Sequence, residues 1–264
     1  MRKKWLLIAA LTILLIVMLV TRCGKKDKTA DTDVQLSDAA KQPVSMSGSE
    51  KPLGVVTAQP DGQGIEITVD RNGESVVYAF SDINIDSWFV DAVNYAVSNG
   101  LMSGVDDGSG ESLFHPDYGM TRAQLAMILY RFAGGEPVEP KHSYSDVPDY
   151  EWYYDCVNWA DAQGLITPSG EDSFGVNEYC SCEEVLVILH RLTGSPASTA
   201  SLEGYPYAPK VSESGINAVR WAWEKGLIAE DECVWYPTQA ISRAQIALLL
   251  MRYDSLIGSP SIEN

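Results

Sequence analysis

The sequence is poor in histidine and in positive charge. Its three histidines, His115, His142 and His190, show no metal-ligand spacing and have no nucleophile motif beside them. No catalytic set can be assembled from them, and no metal or cofactor is expected. Residues 1–52 carry nine Lys/Arg against five Asp/Glu, but the remainder carries ten against 31. So acidic a body argues against the phosphate backbone of a nucleic acid as partner. A calcium-binding loop is also missing. The stretch Asp106-Asp107-Gly108-Ser109-Gly110-Glu111 lacks the alternating ligands and closing glutamate of an EF-hand, and it reads as a solvated turn. Carboxylates are plentiful, but a glycosidase needs two of them facing one cleft at a defined separation. The best-placed pair, Asp82 and Asp146, occupies equivalent positions of a repeat, which suits structure or repeated binding rather than catalysis. The chain is therefore not expected to be an enzyme.

Long apolar runs are limited to one. Arg2, Lys3 and Lys4 precede Trp5–Val20, 16 residues that are long for a signal-peptide core and short for a membrane span. Cys23 follows, but Arg22 stands where a lipid-modified cysteine is preceded by a small residue. The reading favours an uncleaved membrane anchor over residues 1–23, with a lipidated Cys23 as the alternative. Residues 24–52 are rich in Lys, Asp, Ser, Ala, Thr and Gln, and read as a disordered tether averaging roughly 30 Å end to end. Residues 53–79 read as a short β-hairpin segment. Gly64–Asp70 and Glu74–Phe80 are joined by Arg71-Asn72-Gly73, and Val55–Thr57 is a candidate third strand.

The rest is organised around a stretch that occurs three times: Met120–Phe132, Cys180–Thr193 and Ile241–Tyr253. Each copy opens with a hydroxyl residue followed three positions later by Gln or Glu: Thr121 and Gln124, Ser181 and Glu184, Ser242 and Gln245. That spacing predicts a capping box at the start of a helix, and the flanking apolar pairs predict a hydrophobic staple. Helix starts at 121, 181 and 242 make a repeat with a period near 60 residues. A shorter helix precedes each, closed by Gly100-Leu101, Gly164-Leu165 or Gly226-Leu227. The first opens on Phe80-Ser81-Asp82 and Trp88, the second on Tyr144-Ser145-Asp146 and Trp152. The third has Pro206 and Ala208 in place of the aromatic and the aspartate, and Ser214 in place of the tryptophan.

Phe-x-Asp, a Trp-initiated helix, Gly-Leu-hydrophobic, Phe-x-Pro and Thr-Arg-Ala-Gln together resemble the S-layer homology (SLH) domain. The resemblance covers about residues 80–254, as repeats at 80–133, 144–193 (degenerate) and 206–254. It implies a mainly α fold, a pseudo-threefold helical bundle of three repeats behind the hairpin, linker and N-terminal hydrophobic helix. It also implies non-covalent attachment to cell-envelope polysaccharide, often a pyruvylated secondary wall polymer, at the extracytoplasmic face. The alternative is a structural or protein-interaction module that keeps the fold and has lost glycan binding.

Two arginines stand out on physical grounds. Arg122 and Arg243 sit at the first helical position, where a cation opposes the helix dipole at a cost of roughly 0.3–1 kcal/mol. A structural pair with a nearby carboxylate is one account of them; the other is an anion site, since helix-terminal amides and a guanidinium both favour a bound carboxylate. The candidate ligand-binding set is Arg122, Arg243, Asp82, Asp146, Thr121 and Ser242. Asp82 is expected to orient Arg122 or to accept hydrogen bonds from sugar hydroxyls, and Arg243 to depend on Asp146. With Cys182 in place of the second arginine and no third aspartate, fewer than three working sites are expected. Removal of Arg122 is expected to keep or raise stability. Most tryptophans are expected in the core, with Trp223 and Trp235 as candidates for exposure. Cys156 and Cys180 replace core residues of the other repeats; buried thiols are favoured, and the three disulfide connectivities of Cys156, Cys180, Cys182 and Cys233 stay open.

Overall fold

The computed structural model describes residues 53–260, apart from 61, 107, 109–111 and 230–232, together with the pair Gln35–Leu36. All of these fall in the unit Gln35–Asn264. The anchor expected at 1–23 lies outside the described residues, as does most of the linker expected at 24–52. Gln35–Leu36 (β1), inside that linker, pairs antiparallel with Val105–Asp106 (β5), a departure from a wholly disordered tether.

Strands β2 (Val55–Ala58), β3 (Ile65–Arg71) and β4 (Glu74–Phe80) form an antiparallel sheet in that order. Arg71 pairs with Glu74 across a two-residue turn. Asn72 and Gly73 both have positive φ there, 57° and 88°, which is the turn that matches strand twist. Ile65, Ile67 and Val69 alternate inward and join the main core. The third strand expected near Val55 is present, β4 has the expected bounds, and β3 is shifted one residue from the expected Gly64–Asp70.

Six α-helices follow among the described residues: α1 (Val90–Ser98), α2 (Arg122–Phe132), α3 (Tyr154–Ala162), α4 (Cys182–Leu192), α5 (Ile216–Glu224) and α6 (Arg243–Leu256). All three expected capping boxes are formed, at Thr121, Ser181 and Ser242. The short helices α1, α3 and α5 have no side-chain cap and end alike. Gly100, Gly164 and Gly226 take φ of 67°, 64° and 72°, a conformation in which a side chain is strained. The next residue, Leu101, Leu165 or Leu227, then donates its amide back into the helix and buries its side chain.

Packing crosses from one helix pair to the next. α2 packs on α3, α4 on α5, and α6 returns to α1. The outer side of each short helix is tied down by the segment before it. Asn94 and Ser98 on α1 bond both backbone groups of Gly54, at 2.9 and 2.8 Å. Asp161 on α3 holds His142 at 2.7 Å, and Glu224 at the end of α5 accepts from Ser198 at 2.7 Å. The sheet thus does for α1 what the inter-pair linkers do for α3 and α5.

Candidate functional site

The three capped helix starts meet one another. Met120 donates its amide to Ile241, Ile241 to Cys180, and Cys180 to Met120, at 3.0, 2.9 and 2.9 Å. This closed ring sets the start of each long helix against the loop of the following pair. The first two amides of α2 go to the carbonyls of Glu178 and Val176. Those of α4 go to Gln239 and Pro237, and those of α6 to Tyr118 and Pro116. The third amide of each helix goes to the capping hydroxyl. The amides that made these helix starts attractive for an anion are therefore spent within the protein, and the Thr121 and Ser242 hydroxyl oxygens each accept one of them.

The arginines follow the same crossing pattern. Arg122 donates Nε to the Phe174 carbonyl at 2.9 Å and Nη2 to that of Thr167, with its guanidinium 5.1 Å from the Phe174 ring centroid. Arg243 donates to Phe114 and Ser103 carbonyls, both at 2.7 Å, and lies 4.6 Å from the Phe114 ring. Their exposures are 7% and 3%. Burial lowers the Arg243 pKa to about 10, with the nearby Asp82 charge opposing the shift, so the group stays cationic at neutral pH.

The expected pairings are thus exchanged. Asp82 belongs with Arg243, and Asp146 with Arg122, because each arginine reaches forward into the loop that the next pair's aspartate holds. Asp82 accepts the amides of Phe114 and His115 at 2.8 and 2.6 Å. Asp146 accepts those of Phe174, Gly175 and Val176 at 2.8, 2.7 and 3.1 Å, and the Ser173 hydroxyl. Partial burial pushes the Asp146 pKa up, but these donors outweigh it and the net shift is downward. His115 and Gly175 at the clamped turns have positive φ, 54° and 78°. Tyr236, their counterpart in the third pair, has neither a positive φ nor an aspartate.

The third seam is filled differently. Cys182 stands at the arginine position, and Trp235 stands where the other loops have phenylalanine. Tyr205 supplies the missing donor, its hydroxyl bonding the Trp235 carbonyl. Glu183 reaches the Ser212 amide at 2.9 Å. Burial, then the neighbouring Cys233, pushes the Cys182 thiol up to about 12. Trp235 is 2% exposed, contrary to expectation, and Trp223 is half-buried, whereas Trp88 is 39% exposed. Trp152, at the equivalent place in the second pair, is half-buried. The cysteines Cys156, Cys180, Cys182 and Cys233 are unbridged.

A second arginine set was missed by the sequence reading. Arg131, Arg191 and Arg252 each stand ten residues past a helix cap. They donate to the carbonyls of Leu101, Leu165 and Leu227 at 3.4, 3.0 and 3.2 Å. Aligning the repeats on their caps would have found them.

Residues 79–126 match the S-layer homology domain. The match covers the first pair from the end of β4 into α2. The chain is similar to an S-layer protein of Bacillus thuringiensis subsp. finitimus, 23% identical over 193 residues. It is similar to the S-layer protein sap of Bacillus anthracis, 24% identical over 191 residues. These alignments take in 69% and 68% of the chain but only 22% of each relative. An exoglucanase, XynX, of Acetivibrio thermocellus is 23% identical over 176 residues, which are 65% of the chain and 16% of the enzyme. The chain thus spans less than a quarter of the length of these curated relatives.

Proposed function

We propose that this chain binds cell-envelope polysaccharide non-covalently through the seams between its helix pairs, and that residues 1–23 tether it to the membrane, so that it links membrane to wall. The single observation that carries this reading is the match of residues 79–126 to the S-layer homology domain, which includes the half-exposed Trp88. On this reading all three pairs are repeats of that domain, and the chain has no catalytic role. The polymer lies against the first and second pairs. Trp88 and Trp152 stack on sugar rings, and the Asp82 and Asp146 clamps hold the loops that present the surface. Arg122 and Arg243 act from beneath, fixing those loops to the preceding helix.

A pyruvylated polymer brings a carboxylate. At the Arg122 seam the guanidinium edge not bonded to carbonyls faces Glu184, with Nη1 at 3.9 Å. A ligand carboxylate competes with Glu184 for that edge. The third seam, filled by Cys182, Trp235 and Tyr205, does not bind. The test is sedimentation of the chain with isolated walls, comparing wild type with a Trp88→Ala, Trp152→Ala double variant. The proposal expects the double variant to stay in the supernatant while still melting cooperatively as a folded protein. Undiminished sedimentation of the folded variant overturns the assignment of the seams.

A further inference from the structure

At the end of the molecule where the three helix starts meet, three equivalent positions lie side by side: Gly119, Tyr179 and Ala240. The backbone bridges Gly119 to Ser242, Thr121 to Tyr179 and Ser181 to Ala240 bring them together. One aromatic ring occupies this place, and the other two positions are small enough to admit it. A Cβ built on Gly119 would sit 2.9 Å from Cδ1 and 3.1 Å from Cε1 of Tyr179, and 3.7 Å from the Ala240 Cβ. The Tyr179 ring therefore lies against Gly119 and is 64% exposed. Tyr118, the residue before Gly119, is 52% exposed and stacks one face on His115, with centroids 4.0 Å apart and planes 10° from parallel.

The exposed polar residues preceding these three positions in their loops are Asp117, Asn177, Glu178, Thr238 and Gln239. All can accept hydrogen bonds from hydroxyl groups, and residues 115–119, 175–179 and 236–240 contain no lysine or arginine. An anionic ligand is repelled here, and a purely apolar one would desolvate the carboxylates. Aromatic faces rimmed by acceptors suit the C–H face and hydroxyl edge of a sugar ring.

We propose that Tyr179 and Tyr118 form a stacking platform for an uncharged pyranose chain, a glycan site separate from the seams and of different charge preference. It takes the neutral backbone of a polysaccharide, and it needs neither a carboxylate nor the arginines. Because the seam reading concerns other residues, the two can fail independently.

The experiment is saturation-transfer NMR and calorimetry on the full chain with two soluble probes, chitotetraose and cellotetraose. At least one should bind, and Tyr179→Ala should weaken it about tenfold while Tyr179→Phe keeps it. Failure of both probes to bind wild type overturns the platform, and so does equal binding by a folded Tyr179→Ala variant.

Discussion

The guanidinium of Arg243 rests 4.6 Å from the ring centroid of Phe114 and bonds its carbonyl, across 129 positions of sequence. That contact joins the last helix to the first loop. It sets a position whose local energetics are unfavourable against long-range bonds that outweigh them. A cation at a helix start costs roughly 0.3–1 kcal/mol, whereas each hydrogen bond involving a charged group returns about 1.5–3 kcal/mol.

Arg243→Ala should therefore destabilise the protein by about 2–4 kcal/mol in urea unfolding at neutral pH. Arg122→Ala should also destabilise, by less, because Arg122 is the more exposed of the two. Lysine should recover little at either position, since one ammonium cannot reach two carbonyls and keep the stacked plane. An alanine variant as stable as wild type would mean that the dipole penalty wins after all.

Acid stability should depend on Asp146. Its folded-state pKa lies below the unfolded value, so its contribution is fully present above the unfolded value, near 4. It is lost as pH falls through the lower folded value. Wild type should lose melting temperature steeply below about pH 4. Asp146→Asn should be less stable at pH 7 and show a shallower acid decline. Parallel melting curves from pH 7 down to pH 2.5 would rule out this carboxylate as a contributor.

The third seam should tolerate loss of its thiol better than loss of its hydroxyl. Cys182→Ala should change stability by about 1 kcal/mol or less, since it removes one small buried group and adds no polar atom to the core. Tyr205→Phe removes the donor to the Trp235 carbonyl and should cost about 1–2 kcal/mol. Equal effects in chemical denaturation would show that Tyr205 does not replace the arginine.

Glu184→Gln should tighten binding of an anionic glycan. Gln124 and Gln245 stand at the same cap position in the other pairs, so the capping box should survive. The change removes the carboxylate that faces Nη1 of Arg122. At low ionic strength the affinity should rise by several-fold, equivalent to about 1 kcal/mol, and the gain should shrink with salt. Unchanged affinity in calorimetry with purified wall polysaccharide would place the ligand away from this edge.

What the sequence made legible was local. Capping boxes, the Asn72-Gly73 turn and the glycines after the short helices are each decided by residues within a few positions, and all were readable. The odd placement of Arg122 and Arg243 was also readable, as a conflict with the helix dipole. Its resolution was not. Their partners are backbone carbonyls up to 140 positions away, and a carbonyl belongs to every residue type. For the same reason the helix-start amides looked available for an anion when neighbouring loops had already taken them. Pairing Asp82 with Arg122 within one repeat failed because each helix leans on the next pair rather than its own. The exchange of Phe for Trp235 opposite Cys182 becomes meaningful only once that crossing is known.

The most direct measurement is co-sedimentation of the full chain with isolated walls, before and after removal of the pyruvyl groups, and with walls from which the polysaccharide has been extracted. The account predicts retention on intact walls, weaker retention after pyruvyl removal, and none after extraction. Equal retention on extracted walls would contradict it, and the chain would then be held by a wall component other than the polysaccharide.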